Sequence, residues 1–174
     1  MKKILLAMLP LLILSMGSWV SDALAQAEAA QLCFFNRSRN RAESLVTHLR
    51  KSYPNVEFLA LGLQDFKPDI LRRLDIFINA TPVGMQPTDP PLFDYGMLRE
   101  GLLVCDLIYR PAETALLASA RSRGCRLLNG CGMLLHQGAR AFELWTGQKA
   151  PVRIMREALV QGEGGLTASP KGPV

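Results

Sequence analysis

The sequence has few of the residues that build metal centres and disulfide frameworks. Its 174 residues include four cysteines and two histidines, and no two cysteines have the C-x-x-C spacing of zinc and redox sites. We therefore expect no metal site, and we expect buried, reduced thiols, which belong in a reducing compartment. Aromatic residues are also few, and the net charge of +5 is not gathered in one block. A nucleic-acid surface is accordingly a weak hypothesis, and no nucleic-acid partner is expected.

What the sequence does have is a regular alternation of apolar, strand-like runs with helical patterns. With 49% hydrophobic and 20% charged residues, the composition is typical of one globular domain. Strands are predicted at residues 4–7, 32–35, 56–61, 75–79, 102–108 and 125–128. Helices are predicted at residues 20–29, 39–51, 112–123, 130–146 and 151–160. Strands that alternate with helices over short connections predict a parallel α/β sheet.

The turn after the second predicted strand carries three arginines at the start of a helix. These are Arg37, Arg39 and Arg41, and Ser38 among them is the natural N-cap. A helix N-terminus is partly positive, so an arginine there costs a few tenths to about 1 kcal/mol. A bound anion, such as a phosphate held by backbone N–H and guanidinium groups, would offset that cost. The alternative is a solvated basic turn without a ligand.

Polar or glycine-rich turns follow four of the predicted strands. They span residues 36–41, 79–85, 106–109 and 129–133. Because the carboxyl ends of parallel strands meet at one edge of the sheet, these turns are expected to share one ligand-binding crevice. The alternative is that they are polar only because turns in α/β proteins generally are.

The same four turns carry motifs that resemble the C-terminal half of a shikimate dehydrogenase. The motifs are N-R-S-x-x-R-A-E at 36–43, I-N-A-T-P-V-G-M at 78–85, D-L-I-Y-x-P-x-E-T-x-L-L at 106–117, N-G-x-G-M-L-x-x-Q-G-A at 129–139, and W-T-G at 145–147. Several motifs in one order, within residues 20–159, make a specific match. The resemblance implies a Rossmann-like, doubly wound, mostly parallel sheet in a single domain that binds NADP.

The resemblance implies a role for residues at all four turns. The implied cofactor-binding residues are Asn36, Arg37, Ser38, Arg41, Thr81, Leu107 and Gly130. Arg37 and Arg41 are implied to clamp the adenosine 2′-phosphate, which agrees with the charge argument above, because an acidic residue there would select the plain ribose. Tyr109 and Gln137 are implied to reach the hydroxyls of the substrate. Without the family, they are a strand-end aromatic and a partly exposed helix residue.

Two departures from the family's pattern limit the expected activity. The family's glycine-rich phosphate loop should precede residue 20, yet residues 8–19 contain one glycine, Gly17, and bulky apolar residues that would block a pyrophosphate. The family's catalytic Lys and Asp lie in N-V-T-x-P-x-K and N-T-D motifs of a substrate domain, and neither motif occurs here. The catalytic residues stay unassigned, and we expect a weakly active or inactive chain. The alternative is a non-catalytic, degenerate module that binds a nucleotide or anion.

The N-terminus permits two interpretations. Basic residues, an apolar run from residue 4 to 20 and an A-L-A sequence at 23–25 form a signal-peptide pattern, so export or membrane anchoring through residues 1–25 is one alternative. The other is a buried strand followed by a helix, and it is favoured because the resemblance resumes at residue 20. On this interpretation the protein is cytoplasmic and a membrane partner is not expected.

The predicted organisation has three segments. They are an altered apolar segment at 1–19, an NADP-binding domain at 20–161 and a disordered tail at 162–174. The expected partner is NADP(H), with shikimate or 3-dehydroshikimate only if a substrate domain is supplied. The sequence does not indicate the oligomeric state.

Overall fold

The computed structural model describes residues 3–8, 14–62, 65 and 67–162, with the backbone alone at 3–8, 14–19, 68 and 162. Within these ranges, six parallel strands form one sheet in the order β3-β2-β1-β4-β5-β6. The strands are β1 Lys3–Met8, β2 Gln31–Asn36, β3 Glu57–Leu61, β4 Ile76–Ala80, β5 Leu103–Asp106 and β6 Arg126–Leu128. This is the strand order of a Rossmann fold, so the predicted fold class is confirmed.

Helices connect the strands and cover both faces of the sheet. They are α1 Leu14–Gln26, α2 Arg39–Ser52, α3 Pro68–Arg72, α4 Ala115–Ser122, α5 Cys131–Thr146 and α6 Val152–Gly162. The prediction was wrong in extending β5 to residue 108 and in starting α4 at residue 112. The strand ends at Asp106, whose side chain bonds the Ile108 N–H, and the helix begins after its cap, Thr114.

Strand β1 lies at the centre of the sheet. Ile4 is in register with Leu32 on one side and with Ile76 on the other. The prediction of a strand at residues 4–7 is therefore confirmed, and the A-L-A sequence lies inside α1. None of the helices in the described ranges is both long and apolar enough to cross a membrane.

Two segments of the sequence-based account lie outside the described residues. Residues 9–13, between β1 and α1, are five of the twelve positions, 8–19, at which the family's phosphate loop is expected. Residues 163–174 make up nearly all of the predicted tail.

The core fills both faces of the sheet, which explains why the strands read as continuous apolar runs. Successive β2 side chains point to opposite faces. Phe34 packs with Val46 and Leu49 of α2 and stacks on Phe58 of β3, with ring centroids 6.3 Å apart. The neighbouring Phe35 joins the other cluster, which includes α3 and α4. The two packed faces hold the strand ends, and with them the turns, in fixed positions.

Three cysteines, Cys33, Cys105 and Cys125, lie in or beside this core, and all four cysteines are thiols. Cys33 is buried, and Cys105 is mostly buried, which raises the pKa of its thiol to about 11. The Cys105 thiol is consequently protonated at neutral pH and behaves as a small apolar group.

Candidate functional site

From β1, successive strands are added first toward one edge of the sheet and then, from β4 onward, toward the other. The crevice at this reversal opens at the carboxyl ends of the strands. Met8, the last residue of β1, is in register with Asn36 of β2 and with Ala80 of β4. The turns that follow β2 and β4 therefore flank the end of β1 from either side. Open α/β sheets bind ligands in the crevice at such a reversal.

The turn after β2 is held by its own first residue. Asn36 is buried, and its Oδ1 accepts a hydrogen bond of 2.9 Å from the Ser38 N–H. Ser38 occupies the N-cap of α2, as predicted, but its hydroxyl makes no capping bond. The turn thus has a fixed backbone and a hydroxyl that the helix does not use.

The three arginines of this turn differ in what they contact. Arg39 donates to Glu43 Oε1 at 3.0 Å and to Asp65 Oδ2 at 3.3 Å. Arg37 and Arg41 are exposed and form no ion pair with any residue that the structure describes. The first turn of α2 also lacks an acidic residue. Two guanidinium groups therefore lie beside the positive end of a helix, with no counter-charge from the described part of the chain.

A cleft of about 440 Å³ lies where the turns after β4 and β5 meet the start of α5. Its lining residues are Ala80, Thr81, Pro82, Met85, Gln86, Leu107, Ile108, Tyr109, Arg110, Gly130, Met133, Leu134 and Gln137. Most of them are apolar, as is usual for a site that binds a small molecule or cofactor, with a few polar groups to orient the ligand.

The structure divides the nine predicted site residues between two places. Five of them line the cleft: Thr81, Leu107, Tyr109, Gly130 and Gln137. The other four, Asn36, Arg37, Ser38 and Arg41, lie at the end of β2, across β1 from the cleft. No predicted site residue lies away from the carboxyl edge of the sheet.

The side chains that could meet a substrate are accessible. Tyr109 is 47% exposed, and Gln137 is exposed on α5. Gly130 is buried where the chain passes close to the end of β5, and its N–H donates to the Ile108 carbonyl at 3.0 Å. A Cβ atom at Gly130 would lie 2.1 Å from the Leu107 carbonyl oxygen, so only glycine fits without a shift of that backbone.

Behind the cleft, four buried polar side chains form a hydrogen-bonded network. Asn79, Thr81, Asp106 and Thr114 are 0–4% exposed. The Asp106 carboxylate accepts from Asn79 at 3.0 Å and from Thr114 at 2.7 Å. Burial raises the pKa of Asp106, and the hydrogen bonds from Thr114, the Ile108 N–H and Asn79 oppose that rise. The network joins the turn after β4 to the turn after β5.

Sequence reasoning did not assign a role to Asn79, Asp106 or Thr114. The available signal was a polar residue that interrupts a buried strand: Asn79 follows three apolar residues of β4, and Asp106 ends β5. A buried polar side chain needs a hydrogen-bond partner, but the sequence does not identify that partner.

A second carboxylate fixes the loop that carries Met85 and Gln86 over the cleft. Asp89 Oδ2 accepts from the Gly84 N–H at 2.9 Å and from the Gln86 N–H at 3.0 Å. These bonds lower the pKa of Asp89. Gly84 has a φ of 109°, a conformation that favours glycine.

Comparisons with known proteins agree with this geometry. The family model of the shikimate 5′-dehydrogenase C-terminal domain matches residues 130–160. A shikimate dehydrogenase (NADP(+)) of Methanopyrus kandleri is 43% identical over 145 residues, which cover 82% of this chain and 50% of that protein. The chain is similar to shikimate dehydrogenases over most of its own length. It spans about half the length of the curated relatives that it matches, and the resemblance inferred from the motifs is confirmed.

Solved structures show the same relationship in three dimensions. A crystal structure of a shikimate dehydrogenase in complex with NADP+ matches with a TM-score of 0.76 at 32% identity, over 94% of this chain and 55% of that one. A quinate dehydrogenase of Corynebacterium glutamicum in complex with NAD matches with a TM-score of 0.81 at 28% identity, over 92% and 55% of the two chains.

Proposed function

We propose that this chain is the NADP(H)-binding domain of an oxidoreductase of the shikimate dehydrogenase type. The observation that carries the proposal is the difference among the three arginines at the start of α2. Arg39 is paired with Glu43 and Asp65, while Arg37 and Arg41 have no acidic partner among the described residues. Two planar guanidinium groups beside a helix N-terminus suit a phosphate dianion, which accepts paired N–H bonds.

The proposed 2′-phosphate site consists of Arg37 and Arg41, with the Ser38 hydroxyl and the Asn36 turn beside them. An acidic residue in this position would instead favour the unphosphorylated ribose of NAD. The solved relatives include structures with NADP+ and with NAD, so fold alone does not decide between the two cofactors. The charge at this turn supports NADP(H).

The cleft is the proposed site of the nicotinamide and the substrate. Leu107 and Gly130 would border the ring, and Thr81 would contact the cofactor from the turn after β4. Tyr109 and Gln137 would orient the substrate through hydrogen bonds to its hydroxyl groups, because both side chains are accessible from the cleft. When bound, the nicotinamide supplies the hydride that reduces a ketone such as 3-dehydroshikimate to shikimate.

Reduction of a ketone also requires a proton at the carbonyl oxygen. We assign no residue of this chain to that step, and residues 8–19 offer one glycine where the family carries several. We therefore propose that the chain alone turns over slowly or not at all. These same features favour the second candidate, a non-catalytic module that still binds the phosphorylated end of the cofactor.

NADP(H) binding and buried thiols together support a cytoplasmic location.

Calorimetric titration of the full chain with NADP+, NAD+ and 2′-phospho-AMP tests the proposal. We expect NADP+ to bind about tenfold or more tightly than NAD+, because the two arginines meet a phosphate only in NADP+. Measurable binding of 2′-phospho-AMP is also expected. Equal affinities for NADP+ and NAD+, or no binding of any of the three, would contradict the phosphate site.

A spectrophotometric assay of NADP+ reduction by shikimate separates the two candidates. We expect at most a trace of activity with the chain alone. Rapid turnover would show that the proton donor is already present, and it would overturn the proposal of a weakly active domain.

A further inference from the structure

Two walls of the cleft are joined by one carboxylate. The turn after β4 provides Thr81 and Pro82 to the lining, and the turn after β5 provides Ile108 and Tyr109. These turns are about 27 residues apart in sequence, so local chain geometry does not set their spacing. At the strand ends, the Leu107 N–H donates to the Asn79 carbonyl at 2.9 Å, and beyond that backbone bond the buried side-chain contact between the turns passes through Asp106.

Each oxygen of Asp106 has a separate set of donors. Oδ1 accepts from Asn79 Nδ2 at 3.0 Å and from the Ile108 N–H at 3.1 Å. Oδ2 accepts from the Thr114 hydroxyl at 2.7 Å, a hydroxyl that also accepts from the Leu117 N–H at 3.3 Å and caps α4. The groups that face the carboxylate are donors, so an ionised carboxylate satisfies all of them.

Asn79 links Asp106 to the turn that lines the cleft. Its Oδ1 accepts from the Thr81 N–H at 2.9 Å and from the Thr81 hydroxyl at 2.7 Å. Its Nδ2 donates to the Val83 carbonyl at 3.1 Å as well as to Asp106. The direction of the Asn79 amide is therefore fixed by Asp106, and the amide in turn fixes residues 81–83.

We propose that Asp106 is a positioning residue, whose carboxylate holds the two walls of the cleft at the spacing that the nicotinamide end of the dinucleotide requires. This inference rests on the proposed function. It concerns one end of the ligand only, because the turn after β2 has its own bonds, from the Ser38 N–H to Asn36 Oδ1 and from Arg39 to Glu43. Loss of the carboxylate should widen or distort the cleft and leave the 2′-phosphate site intact.

The test uses two probes that differ in which end of the crevice they occupy. NADP+ spans both places, whereas 2′-phospho-AMP occupies only the end beside α2. Each is titrated into the full chain carrying Asp106→Asn or Thr114→Val, with Thr114→Ser as the conservative variant. Asp106→Asn turns an amide donor toward existing donors, and Thr114→Val removes one hydroxyl while keeping the shape.

We expect NADP+ affinity to fall about tenfold in Asp106→Asn, because buried donors lose their charged acceptor. A several-fold fall is expected in Thr114→Val, because the carboxylate loses one donor. Affinity for 2′-phospho-AMP should stay within about twofold of wild type, and Thr114→Ser should restore NADP+ binding. Thr114→Val keeps the test open even if Asp106→Asn does not fold, since its volume is nearly unchanged.

Two results would overturn the inference while leaving the proposed function standing. One is unchanged NADP+ affinity in the folded variants, and the other is an equal loss for both probes, which would indicate a general structural defect. If wild type binds neither probe, the proposed function itself is wrong.

Discussion

The two sides of the crevice are built in opposite ways. On the β2 side, Arg37 and Arg41 are exposed and lack an acidic partner in the described part of the chain. On the β4–β5 side, Asn79 and Asp106 are completely buried and fully engaged. The first side offers charge to a ligand, and the second side offers shape.

The two sides therefore affect the stability of the folded chain differently. Arginines at a helix start are mildly unfavourable until an anion arrives, so that side gives up a little stability for recognition. A satisfied buried network costs little while it is complete, but it becomes expensive when one partner is removed. Substitutions on the two sides should therefore change stability and binding in different proportions.

The largest effect is expected from Gly130→Ala, which attacks the cleft side. The new Cβ would lie 2.1 Å from the Leu107 carbonyl oxygen, so the end of β5 has to move. We expect a loss of about 3 kcal/mol in the free energy of unfolding, measured by urea denaturation. Gly130 already has helical φ and ψ, so steric overlap alone should cause the loss.

Gly132→Ala is the matched control for this substitution. A Cβ at Gly132 meets nothing within 4 Å, and the residue lies in the first turn of α5. Its stability should stay within about 1 kcal/mol of wild type, with a gain the more expected direction. If the two variants are equally stable, the close approach at Gly130 does not constrain the cleft.

An intermediate effect, of opposite sign, is expected from Arg41→Glu on the β2 side. Position 41 is the third residue of α2, where a carboxylate favours the helix dipole and completes a capping box with Ser38. We expect the free energy of unfolding to rise by about 0.5–1 kcal/mol while the preference for NADP+ over NAD+ is lost. Thermal unfolding and titration with both cofactors measure the two effects.

Lys51→Glu provides the control for charge reversal on the same helix. Lys51 is in the last turn, where a cation is favourable, so its reversal should lower stability by a few tenths of a kcal/mol and spare cofactor binding. If both Arg41→Glu and Lys51→Glu lower the free energy of unfolding, the arginines at the start of α2 do not destabilise the helix.

The smallest effect concerns the loop over the cleft and depends on pH. The pKa of Asp89 is lowered by the Gln86 and Gly84 N–H groups, so its contribution to stability is present above the unfolded pKa and disappears as pH falls through the folded pKa. Asp89→Asn should therefore lower Tm slightly near neutral pH, and the difference from wild type should vanish in acid.

Asp69→Asn removes the same charge from a carboxylate that pairs with the exposed Arg72, at 3.6 Å. It should lower Tm less than Asp89→Asn does near neutral pH, because exposed pairs contribute little to stability. If the two variants lower Tm equally, the bonds to Gly84 and Gln86 do not stabilise the loop.

The fold and the start of α2 could be predicted from the sequence because both depend on local patterns. Alternation of apolar runs with helical periodicity gave the strands and helices, and Ser38 was placed at the N-cap where the structure has it. The error at the end of β5 has a cause that hydrophobic periodicity does not show, since Asp106 ends the strand by accepting from the Ile108 N–H and the Thr114 hydroxyl.

The hydrogen-bonded network on the β4–β5 side, and the difference in ion pairing among the three arginines, could not be predicted in the same way. Asn79 and Asp106 are 27 positions apart, and Arg39 and Asp65 are 26 apart. The sequence presents Arg37, Arg39 and Arg41 as equivalent cations, and only the fold brings Asp65 to one of them. Partners chosen by three-dimensional packing leave no periodic signal in the chain.

The most direct test of the account is the ratio of NADP+ to NAD+ affinity in Arg37→Gln/Arg41→Gln, compared with wild type and with Arg39→Gln. We predict that the double variant loses the preference for NADP+ and keeps its affinity for NAD+ within about twofold, because in the proposed site the substituted groups would meet only the 2′-phosphate. Arg39→Gln should keep the preference, since Arg39 is already paired with Glu43 and Asp65. A preference for NADP+ that persists in the double variant, or that disappears in Arg39→Gln alone, would contradict the account.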